Sequence, residues 1–148
     1  MTQETWLVAA PESAVVARAL VREEAGRHGL DEPAVWDLML ATTEAIANAV
    51  QHGAPCERGI RLAIESNDHG LRVEVYDCGC GHAKPPPTSA SGRPRFGEAS
   101  TRATRGRGLP IIEAVTDSLE LSTDGPPAWV RFEKLSRTSQ AAGGASGR

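Results

Sequence analysis

Glu44-Ala45-Ile46-Ala47-Asn48-Ala49-Val50-Gln51-His52-Gly53 closes the longest helical stretch of the chain, and its reading decides the fold. The stretch opens at Asp31, a good N-cap residue, has Pro33 in its first turn and runs through Trp36, Leu38, Met39, Ile46 and Val50 to a stop at Gly53. Glu44, Asn48 and His52 recur every four residues, so on a helix they stack on one face, turn above turn. Taken alone, such a ladder reads first as a solvated stripe, because polar faces are what surface helices have. Its meaning depends on what flanks it.

Downstream, Ile60 to Ser66 and Leu71 to Tyr76 alternate apolar and polar residues around Asn67-Asp68-His69-Gly70, the pattern of a β-hairpin. Asp77-Cys78-Gly79-Cys80-Gly81 follows directly on the second strand. There a carboxylate can point into a pocket while two glycines let the backbone turn tightly against a flat ligand, although the string also suits a plain structural turn. From His82 to Arg105 hardly an apolar residue occurs, which is too long for an ordinary connection and reads as a lid or a disordered segment. Arg105-Gly106-Arg107-Gly108-Leu109 ends that loop and opens a short helix to Val115, placing free backbone N–H groups and the positive helix end where an anion can sit; the alternative is a basic loop tip. Strands are expected at Ser118 to Ser122 and Ala128 to Glu133 around Gly125-Pro126-Pro127. Upstream, Thr5 to Ala10 reads as a strand. An amphipathic helix opens at Pro11-Glu12-Ser13, with Val15, Val16, Ala19, Leu20 and Val21 as its apolar positions and Gly26 and Gly29 as its stop.

Composition narrows the function classes. With 148 residues and 40% apolar content the chain fits one domain with a core of its own. A formal net charge of −3 lacks the global electrostatic footprint of a sequence-independent nucleic-acid binder. Trp6, Trp36 and Trp129 are expected as core or interface anchors, with none grouped into a stacking platform, so direct nucleic-acid binding is not expected. Cys56, Cys78 and Cys80 are an odd number and suit a reducing compartment. Cys78, Cys80 and His82 lack the paired knuckles of a structural zinc site. No signal peptide or membrane span is indicated, so the expected location is cytoplasmic.

Glu-x-x-x-Asn on a helix, Asp-x-Gly-x-Gly after a hairpin, a long polar lid and Gly-x-Gly opening a helix occur here in that order. In this the chain resembles the GHKL (Bergerat-fold) ATPase superfamily from roughly Thr5 to Leu135, and Glu44 to Gly53 looks specifically like the bacterial anti-sigma-factor serine/threonine kinases. The resemblance implies a two-layer α/β sandwich, with helices on one face of a mixed, mostly antiparallel sheet. It further implies an ATP-binding domain over 1–135 with a lid at about 82–105, while the tail at 136–148, which has no apolar residue other than Ala, is expected to be disordered from its composition. Carried across, it makes Asn48 the Mg²⁺ ligand and Glu44 the catalytic base or water-orienting carboxylate. Asp77 becomes the acceptor from the adenine amino group, and Gly79 and Gly81 the close approach to the base. Gly106, Gly108 and Leu109 form the phosphate-side turn, with Arg105 or Arg107 supplying charge. ATP and Mg²⁺ are the implied cofactors. The implied partners are a sigma factor and a STAS-domain antagonist that is phosphorylated; homodimers are common in the family. Against the family pattern, none of the lid residues Arg93, Arg95, Arg102 and Arg105 matches the γ-phosphate contact. The rival reading is a non-catalytic protein-binding module of the same fold. His52 is expected to be structural.

Overall fold

The computed structural model describes residues 1–52, 59–77, 108–122 and 129–138. The order of elements is β1 (Thr2–Leu7), α1 (Ser13–Arg27), α2 (Glu32–His52), β2 (Ile60–Asn67), β3 (Gly70–Tyr76), α3 (Gly108–Val115), β4 (Ser118–Leu121) and β5 (Trp129–Leu135). The strands form one sheet in the order β1-β2-β3-β5-β4, and every described pairing is antiparallel. With the helices layered on one face, this is the expected two-layer α/β sandwich.

The sheet's register follows from period-2 patterning. One set of cross-strand rows, Gln3–Ile64–Val73–Phe132–Leu119 and Thr5–Leu62–Val75–Val130–Leu121, is almost wholly apolar. Its members Ile64, Leu62, Val73, Val75 and Phe132 are buried with Leu38, Ala41, Ala45 and Ile46 of α2, Ala17, Val21 and Ala25 of α1 and Ile112 of α3. The alternate rows are polar or aromatic and face away from the helices. The hairpin forms where it was expected. Asn67 Oδ1 accepts from the backbone N–H of His69 (2.8 Å) and Gly70 (3.1 Å), which fixes the turn. A side chain at Gly70 would put its Cβ 2.1 Å from the Lys134 carbonyl oxygen, so only glycine lets β3 begin this close to β5.

Helix boundaries follow their caps. Asp31 Oδ1 accepts the Ala34 N–H at 3.0 Å and starts α2 as anticipated, an interaction worth about 1 kcal/mol. The α1 helix runs through Gly26 and ends at Arg27. Gly29, at φ +67°, then turns the chain, with Gly29 N–H donating to the Gly26 carbonyl and Leu30 N–H to that of Ala25, a Schellman closure. The buried stripe of α1 differs from the one expected: Ala17, Val21 and Ala25 face inward, while Val15 and Val16 are exposed at 60% and 49%. Small residues let α1 approach α2 closely, and that contact outranks the larger apolarity of the two valines. The first strand lies earlier than expected, at Thr2–Leu7, because pairing with β2 places Leu7 opposite Ile60 at the end of the ladder.

Candidate functional site

The α2 helix presents Glu44 and Asn48 half-buried, one turn apart, on the side that meets α3. The first residue of α3, Gly108, is buried directly against them. A Cβ at Gly108 would lie 3.0 Å from Asn48 Nδ2, 3.2 Å from Asn48 Oδ1 and 3.2 Å from Glu44 Oε2. The glycine therefore does more than free the backbone: its missing side chain leaves the space into which the amide and the carboxylate project. Two motifs separated by sixty residues of sequence thus form one place.

A helix of eight residues is not stable by propensity, so α3 must be held by its surroundings. Ile112 is fully buried in the common core, and Leu109 packs at its margin. Lys134 of β5 holds the far end, its Nζ 2.8 Å from Asp37 Oδ2 of α2 and 2.9 Å from the Val115 carbonyl oxygen. A cation on the last carbonyls of a helix also complements its dipole. Lys134 thereby ties β5, α2 and α3 together and fixes the height of Gly108 above Asn48. This clamp is invisible in sequence, where Lys134 and Asp37 stand 97 positions apart.

Asp77 follows the last residue of β3, a central strand, and is half-buried. Tyr76 belongs to the outward rows, so pleat alternation carries Asp77 to the helix side of the sheet. Gly79, Gly81, Arg105, Gly106 and Arg107 lie outside the described residues, as do the whole of the lid at about 82–105 and residues 139–148 of the tail at 136–148. The structure therefore brings Glu44, Asn48 and Gly108 together, packs Leu109 against the core, and leaves Asp77 at the end of β3.

The donor set suits a hard, hydrated cation shared with a ligand. One amide oxygen, that of Asn48, is few, as is usual for Mg²⁺, which keeps waters and relies on substrate phosphates rather than a protein cage. Among the described residues no group of three or more His, Cys, Asp or Glu is gathered into such a cage.

On the opposite face of the sheet lies an arrangement that the sequence did not disclose. Arg131 bridges Glu74 (2.6 Å) and Glu120 (3.0 Å), and Arg72 contacts Glu133 (2.5 Å) with Glu65 at 3.7 Å. Burial pushes the Glu74 carboxyl up, but hydrogen bonds from Tyr76 and Arg131 and the attraction of Arg131 and Arg72 outweigh it and hold the group below the ordinary carboxylate value. Tyr76 is raised by burial and by its hydrogen bond to Glu74. Beside this lattice Trp6, Arg61, Tyr76 and Trp129 form one cross-strand row, with Tyr76 and Trp129 centroids 6.4 Å apart. The Tyr76 and Trp129 rings are tilted by 44° to one another rather than stacked. Trp6 and Trp36 are not core residues, at 58% and 57% exposure.

A single sheet with helices on one face, and a Glu/Asn pair on the long helix capped by a glycine-led short helix, define the class: a histidine-kinase-like ATPase domain. The profile of that family, "Histidine kinase-like ATPase domain", matches residues 7–134, and the chain belongs to it. The serine-protein kinase RsbW of Listeria innocua serovar 6a is 31% identical over 121 residues, covering 80% of this chain and 77% of that protein, and places the chain with the anti-sigma-kinase type of GHKL domain. Among solved structures, the RsbU and RsbW domains of Rv1364c from Mycobacterium tuberculosis superpose with a TM-score of 0.67 at 23% identity, over 93% of this chain and 33% of that one. The histidine kinase domain of the Erythrobacter litoralis EL346 blue-light-activated histidine kinase gives 0.53 at 14% identity, over 88% and 63%. This chain thus spans about a third of the mycobacterial chain it matches. At these identities the two structures establish the fold. No helix among the described residues is long and apolar enough to cross a membrane.

Proposed function

We propose that the protein binds Mg²⁺-ATP and acts as a cytoplasmic protein serine/threonine kinase and anti-sigma factor, sequestering a sigma factor and phosphorylating a STAS-domain antagonist. The observation that carries this reading is the seat formed by Glu44, Asn48 and Gly108, where the space left by an absent Cβ lies against one carboxylate and one amide. Family membership and the likeness to a serine-protein kinase support it.

Each residue has a defined task in this reading. Asn48 would hold Mg²⁺ through its amide oxygen, and the bound cation would supply charge neutralisation at the phosphates. Gly108 and Leu109, with Gly106, Arg105 and Arg107 before them, bring backbone N–H groups and charge to the phosphate side. Asp77 accepts from the adenine amino group, with Gly79 and Gly81 beside the base. Glu44 accepts the proton of the attacking serine or threonine hydroxyl as its oxygen bonds to the γ-phosphorus and ADP departs with the bond electrons. Phosphoryl transfer needs positioning and electrostatics more than covalent help, so this small set suffices.

The test is transfer of labelled γ-phosphate to STAS-domain proteins from the same organism, comparing the parent with Glu44→Gln. The parent is expected to label one of them, and the variant to lose transfer by about 10²-fold or more while still binding ATP. An absence of labelling in the parent with every STAS protein tried would reduce the protein to a nucleotide-shaped binding module.

A further inference from the structure

From the free edge of β1 we infer an interface for a second copy of this chain, in which two β1 strands pair antiparallel about a two-fold axis through Thr5 and join the sheets of both copies. The inference does not rest on the nucleotide reading, because it uses none of Glu44, Asn48 and Gly108.

The backbone of β1 is open to such pairing. Met1 and Ser66 exchange two hydrogen bonds, the Ser66 N–H donating to the Met1 carbonyl oxygen at 3.0 Å and the Met1 amino group to that of Ser66 at 3.2 Å. Alternation along an antiparallel ladder then turns the N–H and C=O groups of Gln3, Thr5 and Leu7 toward β2, and those of Thr2, Glu4 and Trp6 toward the free edge. The strand contains no proline or lysine and its register with β2 has no bulge, so none of the usual devices blunts this edge.

The side chains agree. Of the seven large apolar residues exposed among the described ones, Met1, Trp6 and Val8 belong to this strand or its ends. Val16 is a fourth. The α1 helix packs on β2 whereas α2 reaches β2, β3 and β5, so α1 is the helix nearer β1. Arg18 of α1 meets Thr43 of α2, and Val16, two positions back and nearly half a turn round, looks the other way, over the edge. The Ser13 hydroxyl donates to the Val8 carbonyl oxygen and holds the start of α1 against the end of β1.

Charge and symmetry select the occupant. The ions that flank Trp6 and Val16 are already paired, Glu4 with Arg61 at 2.8 Å and Glu23 with Arg27. Charges that cancel in pairs give a strongly acidic or basic partner no purchase, whereas two identical copies meet across them without repulsion. The opposite edge, β4, has only four residues and carries the exposed Glu120, and a contact of β1 with β4 would not close. Paired about Thr5, Trp6 of one copy lies opposite Glu4 of the other, and the two such pairs exchange four backbone hydrogen bonds. Pairing about Glu4 would set two carboxylates face to face.

Sedimentation of the full chain over a range of concentrations tests this. A dimer is expected, weakened roughly tenfold or more by Glu4→Pro, which removes an N–H that faces only the free edge, and by Val16→Lys, which brings like charges into the contact. ATP affinity and cooperative unfolding, measured in parallel, are expected to stay unchanged in both variants, which shows that they remain folded. The register is read by Thr5→Cys. Residues on the axis form a non-hydrogen-bonded pair with Cα atoms about 4.5 Å apart, within reach of a disulfide. Mild oxidation is therefore expected to give a covalent dimer beyond any formed by the parent, and Gln3→Cys is expected to add none. A parent that stays monomeric, a dimer indifferent to both Glu4→Pro and Val16→Lys, assemblies that grow beyond two copies, or equal cross-linking by Gln3→Cys and Thr5→Cys would overturn the proposal.

Discussion

The two faces of the sheet are drawn from the same five strands, yet they obey different physics. On the helix side the rows through Ile64, Val73 and Phe132 are dry and apolar, and their stability comes from area removed from water. On the outer side the rows through Glu74, Arg131, Arg72 and Glu133 are held by ion pairs that remain partly hydrated. The difference teaches where the chemistry can be placed: the apolar face supplies a rigid bed for α2 and α3, and so for Glu44, Asn48 and Gly108, while the polar face is left available for contacts that salt can modulate.

This contrast can be broken most strongly from the dry side. Phe132→Ala removes a fully buried ring at the centre of β5 and is expected to cost about 3–5 kcal/mol in urea unfolding. A cost below about 1 kcal/mol would mean that the core is not where the rows place it. A smaller effect is expected at the clamp. Lys134→Met leaves Asp37 and the Val115 carbonyl oxygen without their donor; because the Asp37 side chain is 36% exposed and can rehydrate, the loss should be about 1–2 kcal/mol. If Lys134 positions α3, nucleotide affinity falls further in this variant than in an equally destabilised core variant such as Val73→Ala, and equal losses would show that the clamp is merely structural.

The smallest effect belongs to the outer face and depends on pH. Since the folded Glu74 carboxyl titrates below its unfolded value, its contribution to stability is present above the unfolded pKa and disappears as pH falls through the folded one. Glu74→Gln should therefore be less stable than the parent at neutral pH, with the gap closing below about pH 5 as the parent carboxyl protonates. A gap that is constant down to acid unfolding would show that the charge on Glu74 is not what matters.

Much of this was legible in the sequence. The alternation of Ile60 to Ser66 and Leu71 to Tyr76 announced the hairpin, and Asp31 with Pro33 announced the start of α2, because both signals are local and each has a stereochemical cause. The order of the motifs carried the family. What stayed hidden was decided by long-range packing. The inward face of α1 is set by close approach to α2, so the small Ala17 and Ala25 lie inside and the bulkier Val15 and Val16 outside, against the rank order of hydrophobicity. The Glu74–Arg131 and Arg72–Glu133 pairs join residues 57 and 61 positions apart, and the row of Trp6, Tyr76 and Trp129 exists only once three strands are in register. In the candidate site, the Glu44 and Asn48 spacing was readable, whereas the fit of Gly108 against both was not. A glycine in sequence does not say whether it serves a turn or makes room for a neighbour.

The most direct test of the central claim is calorimetric titration of the protein with ATP and GTP, with and without Mg²⁺, beside Asn48→Ala and Gly108→Ala. The account predicts magnesium-dependent binding selective for ATP, weakened by both variants without loss of the cooperative unfolding transition, since Gly108→Ala pushes a Cβ to 3.0–3.2 Å from the Asn48 and Glu44 side chains. Binding that is indifferent to magnesium and unchanged in both variants, or no binding by the parent, would contradict it.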